Sequence, residues 1–143
     1  MNKLKLVPTI FILFIVFISC SKKNTFPCVS VLNQEDLFNT NWVLENTEYD
    51  FQNSEYTKTF TAESDLNIMK EGFNLNENGD SKNMSVLGWC GTPPYQNVSG
   101  TWHCDDGDGY LVNTYEKGMG QAYDHMEILS LTSSKLIVKF HLQ

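Results

Sequence analysis

No arginine occurs in this chain; its ten basic residues are all lysines, set against 17 acidic ones for a net charge of −7. Without a guanidinium fork there is no planar, bidentate grip on phosphate or carboxylate, which argues against phosphoryl transfer. A basic footprint is missing as well, so nucleic acid is not an expected partner. Cysteine is scarce, at four residues, and no CxxC or HxxxH pair suggests a closed metal site. No Gly-x-Ser-x-Gly elbow occurs, and His103, His125 and His141 have no evident serine partner. The carboxylates Glu45, Glu48, Asp50 and Glu127 have no spacing that marks a glycosidase pair. The expectation is therefore a protein that is not an enzyme, with no catalytic residue, no metal ligand and no cofactor.

Long apolar runs are also lacking, with one exception at the N-terminus. Lys3 and Lys5 precede an apolar stretch from Ile10 to Ile18, followed by Ser19, Cys20 and Ser21. The stretch is well short of the ~20 apolar residues that span a bilayer, and its basic lead reads as a secretory signal. Phe17-Ile18-Ser19-Cys20 resembles the lipobox of a bacterial lipoprotein, which implies cleavage before Cys20 and lipidation of that cysteine. An ordinary secretory signal is the plainer alternative. Residues 1–19 are thus read as a lipoprotein signal peptide and residues 20–35 as a lipidated N-terminus and tether, broken by Pro27. The expected address is the bacterial cell envelope, anchored to a membrane through the N-terminal lipid. A periplasm-facing position is expected, with the cell surface as the alternative. Loss of Lys3 and Lys5 with the signal leaves 8 lysines against 17 acidic residues.

Residues 36–143 are long enough for one domain and too short for two. Leu136, Val138, Phe140 and Leu142 alternate with Lys135, Ile137, Lys139 and His141, the period-two signature of a strand with one buried face. Comparable runs are read over 42–51, 56–61, 66–76, 85–90, 98–104, 110–115 and 123–131. Turn chemistry separates them, as at Asn78-Gly79-Asp80 and Lys117-Gly118-Met119-Gly120. The only helix candidate is a single turn near Gln34 to Asn39, placed to cover one end of a barrel before Trp42. Strands without intervening helices predict an all-β fold, a small antiparallel up-and-down β-barrel of about eight strands. An immunoglobulin-like sandwich is the alternative.

Several segments resemble the lipocalin-like lipoproteins of Bacteroidetes-type bacteria: residues 37–44 with Trp42, residues 73–79 ending in Gly79, Gly100-Thr101-Trp102, and the closing hairpin over 126–138. The resemblance covers roughly residues 36 to 143. It implies a lipocalin-like barrel and raises the prospect of a small apolar ligand in its interior. Trp42, Leu44, Trp89, Trp102 and Tyr110 are the candidate ligand-binding residues, since they supply large apolar surface to a barrel interior; simple core packing is the competing role. If the barrel is filled, a surface such as residues 91–97 or 105–109 would meet an envelope protein partner instead.

With Cys20 set aside, Cys28, Cys90 and Cys104 remain in a compartment that permits disulfides, and one must be left over. Cys90 with Cys104 is the preferred pair, provided residues 91–97 form an irregular loop rather than a tight hairpin; a Cys28 pairing competes. A zinc site from Cys90, His103 and Cys104 is the sharper alternative and lacks the usual ligand spacing. The acidic turn from Asp105 to Gly109 reads as a solvated turn rather than a calcium loop, because Cys104 falls where the first oxygen ligand would stand.

Overall fold

The structure is a computed structural model that describes residues 35–86, 94–105 and 109–141. The expected signal peptide over 1–19, Cys20, Cys28, Trp89, Cys90 and the centre of the acidic turn lie outside those residues. The described chain folds into β1 (Asn41–Asp50), β2 (Glu55–Glu63), β3 (Gly72–Leu75), β4 (Asp80–Ser85), β5 (Gln96–Cys104), β6 (Leu111–Lys117), β7 (Gly120–Leu131) and β8 (Lys135–His141), preceded by a 3-10 turn at Glu35–Leu37. The strands close into one antiparallel barrel in the order β1-β2-β8-β7-β6-β5-β4-β3. The all-β, eight-stranded closed barrel expected from the alternating pattern is the observed fold. Closure pairs every edge.

Sequence neighbours pair throughout this order except at two seams, β1 with β3 and β2 with β8. β1 is antiparallel to both β2 and β3, so those two strands run the same way on either side of it. The connection over 64–71 must therefore travel back along β1 before β3 can begin. The two backbones meet closely at the β1–β3 seam. A Cβ on Gly72 would stand 2.6 Å from the Trp42 carbonyl oxygen, so a side chain there would prise the strands apart.

Strand boundaries follow the expected runs for β1, β2, β5, β6 and β8, and differ at β3 and β4. The run over 66–76 contributes only Gly72–Leu75, because its first half is spent on the crossover. The expected strand over 85–90 is instead Asp80–Ser85. Its inward residues are Ser81, Asn83 and Ser85, all polar and all buried.

The barrel has two unlike ends. At the closed end the 3-10 turn folds across the opening, burying Leu37 and Phe38. Trp42 Nε1 donates to the Leu37 carbonyl oxygen at 3.1 Å. Phe38 stacks on Trp102 with centroids 5.1 Å apart, and Trp102 Nε1 donates to the Asn76 carbonyl oxygen at 2.7 Å. Leu75, Leu136 and Val138 complete a dry core there. The opposite end carries the β1–β2 hairpin and the β6–β7 turn, and among the described residues no element folds across it.

Candidate functional site

Moving from the closed end toward the open end, the interior changes from apolar to polar. The first polar layer is a ring of three side chains on β4 and β6. Ser81 Oγ donates to Asn113 Oδ1 at 2.8 Å, Asn113 Nδ2 donates to Asn83 Oδ1 at 2.6 Å, and Asn83 Nδ2 donates to Ser81 Oγ at 2.9 Å. Each member is at most 2% exposed. Buried amides and hydroxyls are tolerated when paired in this way, whereas an unpaired one costs about 1–3 kcal/mol. Gly100 on β5 faces the ring and makes room for it. A Cβ at that position would fall 2.4 Å from the Thr114 carbonyl oxygen, 2.7 Å from Ser81 Oγ and 2.9 Å from Asn83 Nδ2.

Beyond the ring lies a cavity of about 280 Å³. Phe60, Phe73 and Phe140 form its apolar side, and Asn83, Ser85, Tyr115 and Asp124 its polar side. Lys58, Glu71, Tyr95 and Lys117 stand toward its mouth. The alternation of β2 aims Lys58 inward between Tyr56 and Phe60, and its ammonium pairs with the Glu71 carboxylate delivered by the end of the crossover. It also lies 5.2 Å from the centre of the Phe140 ring and 5.5 Å from that of Tyr56, within the reach of a cation–π contact.

Two further groups define the polar wall. Tyr115 Oη donates to Asp124 Oδ2 at 2.8 Å. Asp124 keeps some solvent access because the cavity is open, yet protein surrounds it on most sides. That burial pushes its carboxyl above the usual carboxylate range, against the opposing pull of the Tyr115 hydrogen bond and of Lys117 and Lys58. Burial likewise drives the Tyr115 phenol far above its ordinary value, and the Asp124 charge adds to the effect. The second group is Ser85, 3% exposed, whose Oγ is buried without a hydrogen-bond partner. The oxygen itself is shielded from the cavity, so a ligand that carries its own polar groups would pair with it after rotation about χ1.

An aromatic ladder connects this cavity to the outside. Phe51, at the tip of the β1–β2 hairpin and 90% exposed, stacks on Tyr49 at 6.0 Å. Tyr49 meets Tyr56 at 6.0 Å, and Tyr56 stacks on Phe140 at 5.0 Å. The ladder descends from solvent to the cavity wall.

Of the residues singled out from sequence, Trp42 and Trp102 belong to the packing of the closed half, and Leu44 packs against the core opposite Phe60. Tyr110 stacks on His141 at 4.4 Å. None of these four is among the residues that line the cavity; Trp89 lies outside the described residues. Cys104 is partly buried against the core and is not a free group, while Cys90 and Cys28 lie outside the described residues. His103 and Cys104 are consecutive on β5 and project to opposite faces. Among the described residues no cluster of three His, Cys, Asp or Glu side chains is placed to hold a metal ion. Among them, too, no helix is long and apolar enough to cross a membrane.

Lys58, Glu71, Ser85, Tyr115 and Asp124 were missed by reasoning from apolar periodicity, because polar residues facing inward look like surface residues in a linear pattern. The one signal available was the position of Lys58 between Tyr56 and Phe60 on the apolar face of an otherwise regular strand. Compared with known proteins, the chain matches no family model, no curated protein and no solved structure. What the barrel does must therefore be argued from its own residues.

Proposed function

We propose that this protein is a lipocalin-like envelope lipoprotein, tethered through Cys20, whose barrel binds a small molecule in its open half. The observation that carries the reading is the 280 Å³ cavity, floored by the Ser81, Asn83 and Asn113 ring and approached at its mouth by the aromatic ladder, in a barrel plugged at its far end by Leu37 and Phe38. Its volume lies near the lower end of ligand pockets, which run from roughly 300 Å³ upward, so the ligand is small. A wholly apolar ligand is disfavoured. It would leave the Ser85 hydroxyl unmatched and strip water from Asp124, at a cost of about 1–3 kcal/mol for each unpaired group. The ligand we propose therefore has an apolar part against Phe60, Phe73 and Phe140 and polar atoms toward Ser85 and Asp124.

Lipid anchoring is supported by the sequence of the first 23 residues, and the tether then enters the domain at the plugged end. A Cys90–Cys104 disulfide belongs to the same reading, since Cys104 ends β5 beside the core. Native mass spectrometry of the full chain purified from membranes tests the whole proposal. The expected spectrum shows an acylated N-terminus at Cys20, one disulfide and a copurifying small molecule. Release of a Cys20→Ser variant from the membrane fraction is the matching cell-level outcome. An unmodified chain in the soluble fraction would refute the anchor. A cavity that admits no small molecule under any condition would favour a protein partner at the open end, where Phe51, Ile68, Met69 and Met119 are exposed.

A further inference from the structure

We infer that the cavity is built for a neutral, polyhydroxylated ligand of monosaccharide size. This deepens the small-molecule reading and rests on it. Three features of the wall point to that class. The first is charge balance. Lys58 is already neutralised by Glu71, and Asp124 is engaged by the Tyr115 hydroxyl. Lys117 lies at the exposed mouth rather than within. The lining as a whole carries two cations, Lys58 and Lys117, and two carboxylates, Glu71 and Asp124, so it has no net charge with which to select an ion.

The second feature is the division of the wall. A sugar ring has C–H bonds on its faces and hydroxyls around its edge. Its faces suit the phenyl groups of Phe60, Phe73 and Phe140, whose ring faces carry partial negative charge. Its edge suits Ser85 and Asp124. The Ser85 hydroxyl can both donate and accept, and the second oxygen of Asp124 accepts; a vicinal diol supplies both complements.

The third is the approach. The Phe51, Tyr49, Tyr56 and Phe140 rings follow one another at 6.0, 6.0 and 5.0 Å, a continuous aromatic path from solvent to the cavity wall. Ring surface along that path, where the Lys58 charge over Tyr56 and Phe140 is already paired with Glu71, suits a ligand that is polar at its edge and apolar on its faces. A fatty chain would find no continuous apolar tunnel, because the Ser81, Asn83 and Asn113 ring closes the cavity floor.

The test is saturation-transfer NMR and titration calorimetry on the full chain in detergent. The probes are glucose, galactose, mannose and N-acetylglucosamine, with tyramine and octanoate as the cationic and the fatty counterparts. The expected result is binding of at least one sugar, with saturation strongest at its ring C–H protons. Affinity should fall roughly tenfold in Ser85→Ala and in Asp124→Asn, the loss of about one hydrogen bond each, and stay unchanged in the outer-surface variant Leu129→Ala. Binding of tyramine or octanoate alone, lost in Ser85→Leu, would overturn the sugar class and keep the small-molecule reading. Sugar binding that survives Ser85→Leu would place the sugar elsewhere and overturn the inference. Binding of none of the probes, together with no copurifying molecule, would remove both.

Discussion

The Tyr115 hydroxyl donates to Asp124 Oδ2 at 2.8 Å across the β6–β7 pair, inside a barrel whose other half is dry. A carboxylate so placed is not there for packing. It gains one hydrogen bond and still has its pKa raised, because the surrounding protein penalises its charge more than Tyr115, Lys117 and Lys58 relieve it. The fold therefore carries a polar group at a cost to its own stability, which is typical of a binding site rather than a core.

The sign of that cost can be checked by pH. A carboxyl whose folded pKa lies above its unfolded value of 3.8 contributes most to stability below that value. The contribution is lost as pH rises through the folded pKa. Asp124→Asn removes the titration while keeping an oxygen to accept from Tyr115. The difference in melting temperature, variant minus wild type, is expected to grow more positive from pH 4 to pH 7. Thermal melts across that range read it directly; a difference independent of pH would show that Asp124 is solvated like a surface acid.

Ser85 makes a complementary prediction, because its hydroxyl is buried with nothing to bond. Ser85→Ala removes that unmatched group and adds no strain. The ligand-free variant is expected to equal or exceed the wild type in stability, by up to ~1 kcal/mol in urea unfolding, a gain opposite in sign to most core truncations. The same change is expected to weaken ligand binding. A clear loss of stability instead would mean that the hydroxyl is satisfied by bound water in solution.

How far the fold was legible in the sequence depended on which residues face inward. β8 reads at sight, since Leu136, Val138 and Phe140 are buried and the residues between them are not. The covering turn was legible too, through Leu37 and Phe38 ahead of Trp42. β4 was not. Its inward side chains are Ser81, Asn83 and Ser85, so a search for alternating apolar residues slides past it to the run after Ser85. Aromatic bulk was the sequence criterion for the site, and it found Trp42 and Trp102, which pack the closed half. The polar lining was invisible because it breaks the apolar alternation that marks a core. The exchange at the two seams was equally hidden, because nothing in the local sequence says that β3 pairs with β1 rather than with β2.

Gly100 tests whether the polar ring is a structural element. A methyl group there meets the Thr114 carbonyl oxygen at 2.4 Å, and that backbone atom cannot step aside without breaking the β5–β6 ladder. Gly100→Ala is therefore expected to destabilise the domain by about 2–3 kcal/mol, the upper range for overpacking a filled interior. Chemical denaturation gives the number. Gly120, where an added Cβ meets nothing within 4 Å, is the matched comparison, and Gly120→Ala is expected to change stability by under about 1 kcal/mol.

Alkaline titration probes the mouth of the cavity from another side. Burial raises the Tyr56 phenol to about 12, with the charges of Asp124 and Glu71 adding to it. Ionising Tyr56 would place a negative oxygen beside those carboxylates and over the Phe140 stack. Since the folded pKa exceeds the ordinary phenol value of 10.0, the stability tied to the neutral phenol is intact below pH 10 and is lost as pH climbs toward 12. Tyr56→Phe keeps the ring stack and deletes the titrating group, so its unfolding midpoint should fall less steeply than that of the wild type between pH 10 and pH 12. Parallel curves for the two proteins would mean that the Tyr56 hydroxyl reaches bulk water, and that the ladder leads past the cavity rather than into it.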